Sequence, residues 1–237
     1  MSADQSMTAI VEYQIRNENT TMDEWLAEWD KRAEDARVGE PETTAYASAI
    51  NLENALNVLV FERYAKGNSS LRLHTDRPAH HTLIEVMGER RMTKRRVMSS
   101  RFSDVADFGW WGRPECHDGN GEGIVLVILG LRFADAGMGE AFIKLSSEHA
   151  AYCWKNEPDT LIYSGGLARS DADRELDIKE GDLIFVMGCT DMAAVEKHRD
   201  DPNHLALGAK MVEKQLQMEN TFRRMYKTTG HGFLWRE

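Results

Sequence analysis

Two of the eight histidines could act as general bases, and they lie in matching contexts. His74 and His198 are each followed by a proline four residues on and by another histidine six residues on. Because imidazole titrates near neutral pH, either residue could take a proton from a phenolic substrate. A histidine at the end of a short helix can instead cap the last carbonyl groups. The duplication favours this structural role, since a residue that holds the fold is needed in both copies, and catalysis by either residue stays open.

His149 is a third candidate base, and the first half of the chain has Arg32 at the corresponding position. It falls on the same face of a predicted helix as Phe142 and Cys153. Substrate pockets combine apolar walls with a few polar groups, so a histidine on an apolar face suits such a pocket. The alternative is a buried histidine with a structural partner. Because the fold does not require a histidine here, we predict that His149 is the sharper catalytic candidate.

Five larger side chains are predicted to bind a substrate. Trp25 and Trp29 lie four residues apart on one face of a predicted helix, where they could pack in the core or stack on a planar ring. Arg63 and Tyr64 end a predicted strand, and the Tyr64 hydroxyl could hold a substrate. Tyr152 accompanies the candidate histidine of the second half.

The matching contexts arise because the chain is a tandem duplication. A shift of 124 residues places Leu59-Val60-Phe61 on Leu183-Ile184-Phe185. A second match, between Glu40-Pro41-Glu42-Thr43 and Glu157-Pro158-Asp159-Thr160, has an offset of 117. The difference (124 − 117 = 7) corresponds to a polar insertion at 170–181 that is typical of an extended hairpin loop. We predict unit one at 1–103, a linker at 104–122, and unit two with a C-terminal tail at 123–237.

Both units have the same predicted order of elements, β-α-β-β-α-α-β. In unit one the strands are predicted at Met7–Arg16, Thr43–Ile50, Ala55–Tyr64 and Lys94–Phe102, and the helices at Met22–Arg37, Lys66–Thr75 and Pro78–Arg91. In unit two the strands are predicted at Gly123–Phe133, Thr160–Ala168, Asp182–Cys189 and Thr221–Thr228, and the helices at Ala136–Lys155, Asp191–Arg199 and Pro202–Met218. This order predicts an antiparallel, ferredoxin-like sheet with helices on one face. Because the other face is bare, we predict an α+β fold in which the two units form one intramolecular barrel.

Composition narrows the classes of partner. The chain of 237 residues carries a formal net charge of −10 at pH 7, which argues against a nucleic-acid or anionic-membrane surface. The basic run Arg90–Arg96 is interpreted as a solvated helix end. Three cysteines, Cys116, Cys153 and Cys189, match no metal motif and no disulfide framework, so we expect no metal and a reducing, cytoplasmic compartment. The sequence has no run of about 18 apolar residues, so it predicts no membrane span, and it has no glycine-rich nucleotide motif.

Three motifs of unit one resemble the antibiotic-biosynthesis monooxygenase family. They are the Glu-Pro-x-Thr turn at Glu40–Thr43, the strand Val60–Tyr64, and the His-x3-Pro-x-His motif at His74–His80. The resemblance covers about Met7–Phe102 and, more weakly, Gly123–Thr228. It implies the dimeric α+β barrel fold, here built from both halves of one chain.

The resemblance also implies that the two units differ. Unit one keeps the Glu-x-aromatic pattern of the family at Glu62 and Tyr64, whereas the 124-residue offset puts Val186 and Gly188 at those positions of unit two. After a duplication only one pocket must stay active. We therefore expect asymmetric pockets, and the sequence leaves open which one works.

The resemblance implies cofactor-independent oxidation of an aromatic polyketide-type molecule by molecular oxygen. In such a reaction the protein supplies a base, a dry pocket and orientation. A cyclase or isomerase that uses the same acid and base groups is the first alternative, and a non-catalytic small-molecule-binding barrel is the second. Haem held by a single histidine is a further possibility on this fold. Association into homo-oligomers is left open.

Overall fold

The computed structural model describes residues 5–116, 120–174 and 176–236, so residues 117–119 of the expected linker lie outside the described residues. Unit one contains strands β1 (Met7–Ile15), β2 (Thr43–Asn51), β3 (Asn57–Tyr64) and β4 (Thr93–Asp104), and helices α1 (Met22–Gly39), α2 (Gly67–Thr75) and α3 (Pro78–Glu89). Unit two contains strands β5 (Val125–Phe133), β6 (Thr160–Ala168), β7 (Asp173–Arg174), β8 (Leu183–Cys189) and β9 (Met218–Phe233), and helices α4 (Ala136–Asn156), α5 (Met192–Asp200) and α6 (Pro202–Glu213). No described helix is long and apolar enough to span a membrane.

Local sequence explains where the two long helices begin. Thr21 caps α1, accepting from the Glu24 N–H while the Glu24 carboxylate accepts from the Thr21 N–H, which satisfies two donors of the first turn. Asp135 caps α4 by accepting from the Met138 N–H. Each helix then buries one face against its own sheet.

The two sheets join into one closed barrel. The strand order is β4-β1-β3-β2 in unit one and β9-β5-β8-β6 in unit two. Antiparallel pairing of β2 with β9, and of β4 with β6, connects the two sheets edge to edge. The predicted α+β barrel of two ferredoxin-like units is therefore confirmed. Two interactions hold it closed: backbone hydrogen bonds between the edge strands, and packing of the two inner faces.

A glycine makes one of the two seams possible. Gly232 of β9 has φ of +78°, and a Cβ atom there would lie 2.1 Å from the carbonyl oxygen of Tyr46 on β2. A side chain at this position would therefore push β9 away from β2.

Apolar side chains from both units fill the barrel. Ala45, Ala47 and Ala49 of β2 belong to the same buried cluster as Phe222 and Tyr226 of β9. Trp111, in the chain that links the units, packs at the edge of the same cluster, where it contacts Phe61 and Phe102. The helices lie outside the barrel and cover the outer faces of their sheets with separate clusters.

The hairpins fix which residues of the two units are equivalent. Tyr46 pairs with Glu62 in unit one, and Tyr163 pairs with Met187 in unit two. Since Tyr46 and Tyr163 match at the offset of 117, Glu62 corresponds to Met187 at an offset of 125 (187 − 62). The expected offset of 124 is therefore wrong along this strand. A slip of one residue matters because it exchanges the two faces of a strand.

The correction changes which residues replace the Glu-x-aromatic pattern in unit two. Met187 and Cys189 occupy these positions, and both pack under the helices. Val186, expected there, instead packs in the barrel. The offset returns to 124 at His198, so the segment between β8 and α5 is one residue shorter than its counterpart.

The closing strand also differs from the prediction. It was expected at Thr221–Thr228, but β9 spans sixteen residues, Met218–Phe233. It is longer because it pairs with β5 of its own unit and with β2 of unit one. The predicted polar loop at 170–181 contributes the short strand β7, which pairs with β4.

A buried carboxylate connects the two units. Glu12 of β1 is fully buried and accepts hydrogen bonds from Asn51 Nδ2 at 2.9 Å and Asn57 Nδ2 at 2.8 Å. On β9 of the other unit, the Tyr226 hydroxyl donates to it at 3.1 Å and Arg224 forms an ion pair with it. One carboxylate therefore satisfies donors from both halves of the barrel.

We expect Glu12→Gln to destabilise the barrel, because the variant leaves the Arg224 guanidinium without its counter-charge. The free energy of unfolding, measured by urea denaturation, should fall by about 3 kcal/mol or more. As a control, Glu85→Gln changes an exposed carboxylate on α3 and should change stability by less than about 0.5 kcal/mol. Equal stability of the two variants would contradict this role for Glu12.

Candidate active site

Each unit contains a cavity between its helices and the outer face of its sheet. Both cavities have a volume of about 330 Å³. They occupy equivalent places in the duplicated fold, since Trp25, Tyr46 and His80 line the first while their counterparts Phe142, Tyr163 and His204 line the second. The fold therefore supplies two pockets, and their side chains decide what each can do.

Aromatic rings form the walls of the unit-one cavity. The ring centroids of Trp29 and Tyr46 lie 4.7 Å apart, and those of Trp25 and Tyr13 lie 6.2 Å apart. Trp25 is held in place because its Nε1–H donates to the Thr93 hydroxyl at 3.1 Å. These walls suit a planar aromatic ligand.

Glu62 is the acidic group of this cavity. It lies on β3 among the aromatic walls, and the Tyr64 hydroxyl donates to its Oε2 at 2.8 Å. Burial raises the pKa of Glu62, although nearby His74 and the Tyr64 hydroxyl act in the opposite direction. A carboxylate with a raised pKa in an apolar pocket is a better base than an exposed one.

His80 of α3 adds an imidazole to the same cavity. Its ring centroid lies 5.4 Å from that of buried His74. Burial, followed by the nearby His74 and Arg32, lowers the pKa of His80 to about 4. His80 is therefore neutral near neutral pH and can donate or accept a hydrogen bond without adding charge.

The unit-two cavity is more apolar. Met187 lies at the position of Glu62, and Ser146 replaces Trp29, with its hydroxyl 3.0 Å from the Tyr163 hydroxyl. His198 and His204 supply imidazoles, and burial lowers the pKa of His204 to about 4. This pocket has no carboxylate among its described lining residues, so it lacks the acid–base partner present in unit one.

The repeated motifs meet in a buried Glu–His pair. In unit one, His74 Nδ1 lies 2.7 Å from Glu40 Oε2, which also accepts from the Thr43 hydroxyl at 2.7 Å. In unit two, His198 Nδ1 lies 2.7 Å from Glu157 Oε2, and the Thr160 hydroxyl donates to the same oxygen at 3.0 Å. In both copies, the Glu-Pro-x-Thr turn therefore contacts the histidine of the short helix.

The glutamate of each pair is an ionised carboxylate. Burial alone would raise the pKa of Glu40, but hydrogen bonds from His74, Thr43 and Arg32 bring it down to about 2. Burial also acts to raise the pKa of Glu157, but His198 and Thr160 lower this pKa to about 2. Each pair joins a helix to the turn before a strand, which is a structural contact different from the carbonyl capping predicted for these histidines.

The predicted catalytic histidines occupy three different environments. His74 is buried between Glu40 and Arg32, whose Nη2 lies 2.8 Å from His74 Nδ1. His198 lines the unit-two cavity. His149 is buried beside His198, with ring centroids 5.3 Å apart, and burial lowers its pKa. The structure thus brings two of the three together and leaves the third in the other unit.

The predicted substrate-binding residues are also divided. Trp25 and Trp29 line the unit-one cavity. The Tyr64 hydroxyl donates a hydrogen bond to Glu62, which also lines it. Arg63 points to the other face of β3, where it pairs with Asp104 and its guanidinium lies 3.8 Å from the Trp111 ring centroid. Alternate residues of a strand face opposite sides, so Arg63 and Tyr64 cannot line one pocket.

Tyr152 lies at the helix surface of unit two. Its hydroxyl donates to Asp201 Oδ2 at 3.1 Å, and its ring stacks on that of His149 with centroids 6.0 Å apart. Tyr152 therefore lies against His149 and is not among the described lining residues of the cavity.

Several cavity residues were not selected from the sequence. Tyr46 and Tyr163 fall within predicted strands, and His80 and His204 fall near the starts of predicted helices. Glu62 was noticed only as part of a family pattern. The useful signal was the repeat, because Tyr46/Tyr163 and His80/His204 are matched pairs at the two offsets.

Neither Glu–His pair has room for haem. A histidine that binds haem iron must present a ring nitrogen to a flat macrocycle. The Nε2 of His74 is buried, and the ring lies among three other rings with centroids 4.8–5.6 Å away. The ring of His198 is flanked by two imidazoles at 4.6 and 5.3 Å. The residues around these histidines therefore do not fit the group.

Solved structures match the whole chain, although no protein-family model and no curated protein sequence matches it. A "putative monooxygenase" from Lactobacillus acidophilus is 11% identical with a TM-score of 0.69, covering 95% of this chain and 94% of that one. A "putative chlorite dismutase" is 11% identical with a TM-score of 0.60, covering 98% and 97%. An anthrone oxidase-like protein is 14% identical with a TM-score of 0.56, covering 97% and 94%. At these identities the likeness establishes the fold, and the resemblance to monooxygenases of the α+β barrel type is confirmed at that level.

Acid should weaken the fold through the Glu–His pairs. Because the pKa values of Glu40 and Glu157 lie near 2 in the folded chain and near 4.5 when unfolded, their stabilisation is present above about pH 4.5 and lost as the pH falls toward 2. The free energy of unfolding, measured in urea, should fall between about pH 5 and pH 3 by on the order of 1–3 kcal/mol per pair. The fall should be smaller in Glu40→Gln and unchanged in the exposed control Glu85→Gln. A Glu40→Gln variant with the pH dependence of the original protein would contradict this assignment.

Proposed function

We propose that the unit-one cavity is the active site of a cofactor-independent monooxygenase acting on an aromatic polyketide-type molecule. One observation carries the proposal: Glu62, a carboxylate whose pKa is raised by burial, lies among aromatic walls large enough to hold a fused-ring substrate. The likeness in fold to proteins named as monooxygenases and to an anthrone oxidase-like protein supports the reaction class.

The walls of the cavity orient the substrate. Trp29 and Tyr46 offer ring faces and edges to a planar molecule, and Trp25 closes the side next to β4. Arg16 and Arg91, also on the lining, place positive charge near an enolate or phenolate. A substrate stacked on these walls presents an acidic C–H group to Glu62.

The chemistry requires a base and a site that excludes water. Glu62 removes a proton from a methylene group flanked by aromatic rings, and the carbanion passes one electron to molecular oxygen. Combination of the two radicals forms a C–O bond, and protonation gives a hydroperoxide. Loss of the remaining hydrogen as a proton, with cleavage of the O–O bond, gives a ketone and water. The substrate supplies all four electrons that reduce O2, so the balance needs no further reductant.

The phenols near Glu62 are suited to remain protonated. Burial, followed by the charge of Glu62, raises the pKa of Tyr46 and of Tyr64 well above the ordinary value. Tyr64 can therefore hold Glu62 by a hydrogen bond while the carboxylate accepts and returns a proton.

Glu62→Gln should abolish most of the activity without unfolding the protein, because the amide cannot accept the substrate proton. We expect oxygen uptake with an anthrone-type substrate to fall about 10²–10⁴-fold. In the original protein the rate should rise with pH through an apparent pKa above the ordinary carboxyl value of 4.5, and this rise should be absent in the variant. Met187→Leu, at the equivalent position of unit two, is the matched control and should keep full activity.

The products distinguish this proposal from the two alternatives. Product formation without oxygen uptake would indicate a cyclase or isomerase that uses Glu62 for proton transfer alone. Ligand binding without turnover in the original protein would indicate a binding barrel. Equal rates for Glu62→Gln and Met187→Leu would place the chemistry outside unit one.

The three histidines predicted from the sequence need a separate comparison. We expect His74→Ala to lose stability, because the buried Glu40 carboxylate would lose one of its hydrogen-bond partners, with about 1–3 kcal/mol lost in urea denaturation. His149→Ala and His198→Ala, both in unit two, should likewise change stability more than the rate per folded molecule. A loss of about 10²–10⁴ in rate by a fully folded variant would instead identify that histidine as the base.

A further inference from the structure

A cluster of two histidines and one cysteine lies next to the unit-two cavity. His149, Cys153 and His198 are all buried, and one nitrogen of each ring and the cysteine sulfur lie within 4.8 Å of one another. His149 and Cys153 are one turn apart on α4, and His198 comes from α5. The reaction proposed for unit one uses none of these three residues.

The spacing of the donor atoms suits a tetrahedral ion. Cys153 Sγ lies 3.4 Å from His149 Nε2 and 3.9 Å from His198 Nδ1. Zinc bonds of about 2.3 Å to sulfur and 2.0–2.1 Å to nitrogen give an edge of about 3.5 Å between two such ligands. The two separations from the cysteine sulfur are therefore close to the edges of a zinc coordination shell.

Neighbouring groups hold these donors in position. His149 Nδ1 lies 2.7 Å from Asn203 Oδ1, and because an amide oxygen only accepts, the hydrogen belongs to Nδ1. This leaves the lone pair of Nε2 directed toward Cys153, which is the arrangement that an outer carbonyl imposes on a metal-bound histidine. The Oε1 atom of Glu157 is buried and has no hydrogen-bond partner among the described residues.

Unit one shows what this space requires. There the counterparts of His149 and Cys153 are Arg32 and Ala36, while the Glu–His pair is kept. The guanidinium of Arg32 contacts both Glu40 and His74, so a permanent cation lies against that pair. Unit two has no such cation at the equivalent position, but it has added a thiol and an imidazole that can bind one.

We propose that unit two binds one thiophilic divalent cation of the zinc type, through His149 Nε2, Cys153 Sγ and His198 Nδ1, with the Glu157 carboxylate closing the fourth position. The ion takes the place that the guanidinium occupies in unit one. On binding, the Cys153 thiol releases one proton and the His198 hydrogen moves to Nε2. The thiolate and the carboxylate then balance the two positive charges, as a buried ion requires.

A nucleophilic role for the same residues is less consistent with their surroundings. Cys153, His149 and Asn203 follow one another as thiol, imidazole and amide, which is the order of a nucleophile, its base and an orienting group. Cys153 is fully buried, however, and burial followed by the charge of Glu157 raises its pKa. A reactive cysteine needs the opposite conditions, namely access and a lowered pKa.

A four-ligand site of this kind would be structural. It would join α4, the turn that follows α4, and α5, and the helices α4 and α5 both contribute to the wall of the unit-two cavity. The absence of an open coordination position assigns the ion to stabilising that wall.

Titration of the metal-free protein with Zn²⁺ and Co²⁺ tests the site without any enzymatic assay. We expect one ion per chain, a Co²⁺–thiolate absorption band, and a rise in the melting temperature on addition of Zn²⁺. Cys153→Ala and His149→Arg introduce the residues of unit one and should each weaken Zn²⁺ binding by at least about 100-fold. Cys189→Ala removes another buried thiol of the same unit and should keep both the affinity and the Co²⁺ band.

Two results would overturn the proposal. One is a folded, metal-free original protein that binds neither Zn²⁺ nor Co²⁺. The other is Zn²⁺ binding by Cys153→Ala as tight as that of the original protein. If Cys153→Ala fails to fold, the double variant His149→Arg/Cys153→Ala, which reproduces the arrangement of unit one, serves in its place. Because oxygen uptake is assigned to Glu62, failure of this site would leave that assignment untouched, and the reverse also holds.

Discussion

The edges of the two sheets impose the constraint on which the rest of the structure depends. Each four-stranded sheet has two edge strands whose N–H and C=O groups need partners. Pairing β2 with β9 and β4 with β6 gives each of these four edges a partner strand. The closed ring then encloses the inner faces, so the helices must cover the outer ones, and both cavities arise where helices do not fully fill that outer layer.

The two units share this framework, but the side chains that line their cavities differ. The backbone places an aromatic residue of β2 or β6 and a histidine of α3 or α6 on each cavity. Unit one adds Glu62 and Trp29, whereas unit two has Met187 and Ser146 at these positions. One cavity thus holds a carboxylate within a ring of large aromatic side chains, and the other is more apolar and borders an imidazole-rich cluster. The fold tolerates both because its own requirement, the Glu–His pair, is met in each unit.

Much of the fold could be predicted because its signals are local. The repeat and the Glu-Pro-x-Thr turns indicated the order of elements, and that order implied two bare sheet faces. The register could not be read in the same way. The segment between β8 and α5 is one residue shorter than its counterpart in unit one. The offset of 124 that matches His74 to His198 is therefore wrong by one residue in β8, and it assigned the β8 residues to the wrong faces of the strand.

The candidate site was only partly accessible from the sequence for a related reason. The Glu40–His74 pair joins two motifs that were both recognised, yet nothing in their spacing indicated that they touch. Glu62 and Arg63 are neighbours in sequence but lie on opposite faces of β3. The cluster around Cys153 combines an i, i+4 pair on α4 with His198, forty-five residues further on (198 − 153), and only the packing of α5 on α4 brings these residues together.

The long strand β9 has a consequence for the order in which the chain can assemble. Its first part pairs with β5 of its own unit, but its last part pairs with β2, so that Ala47 meets Gly232. Contacts between residues so distant in sequence carry a large loop-closure entropy and slow folding. During synthesis, β2 would keep an unsatisfied edge until Gly232 of β9 had left the ribosome. Unit one can therefore adopt its hairpins early, yet the barrel is completed only when β9 pairs with β2.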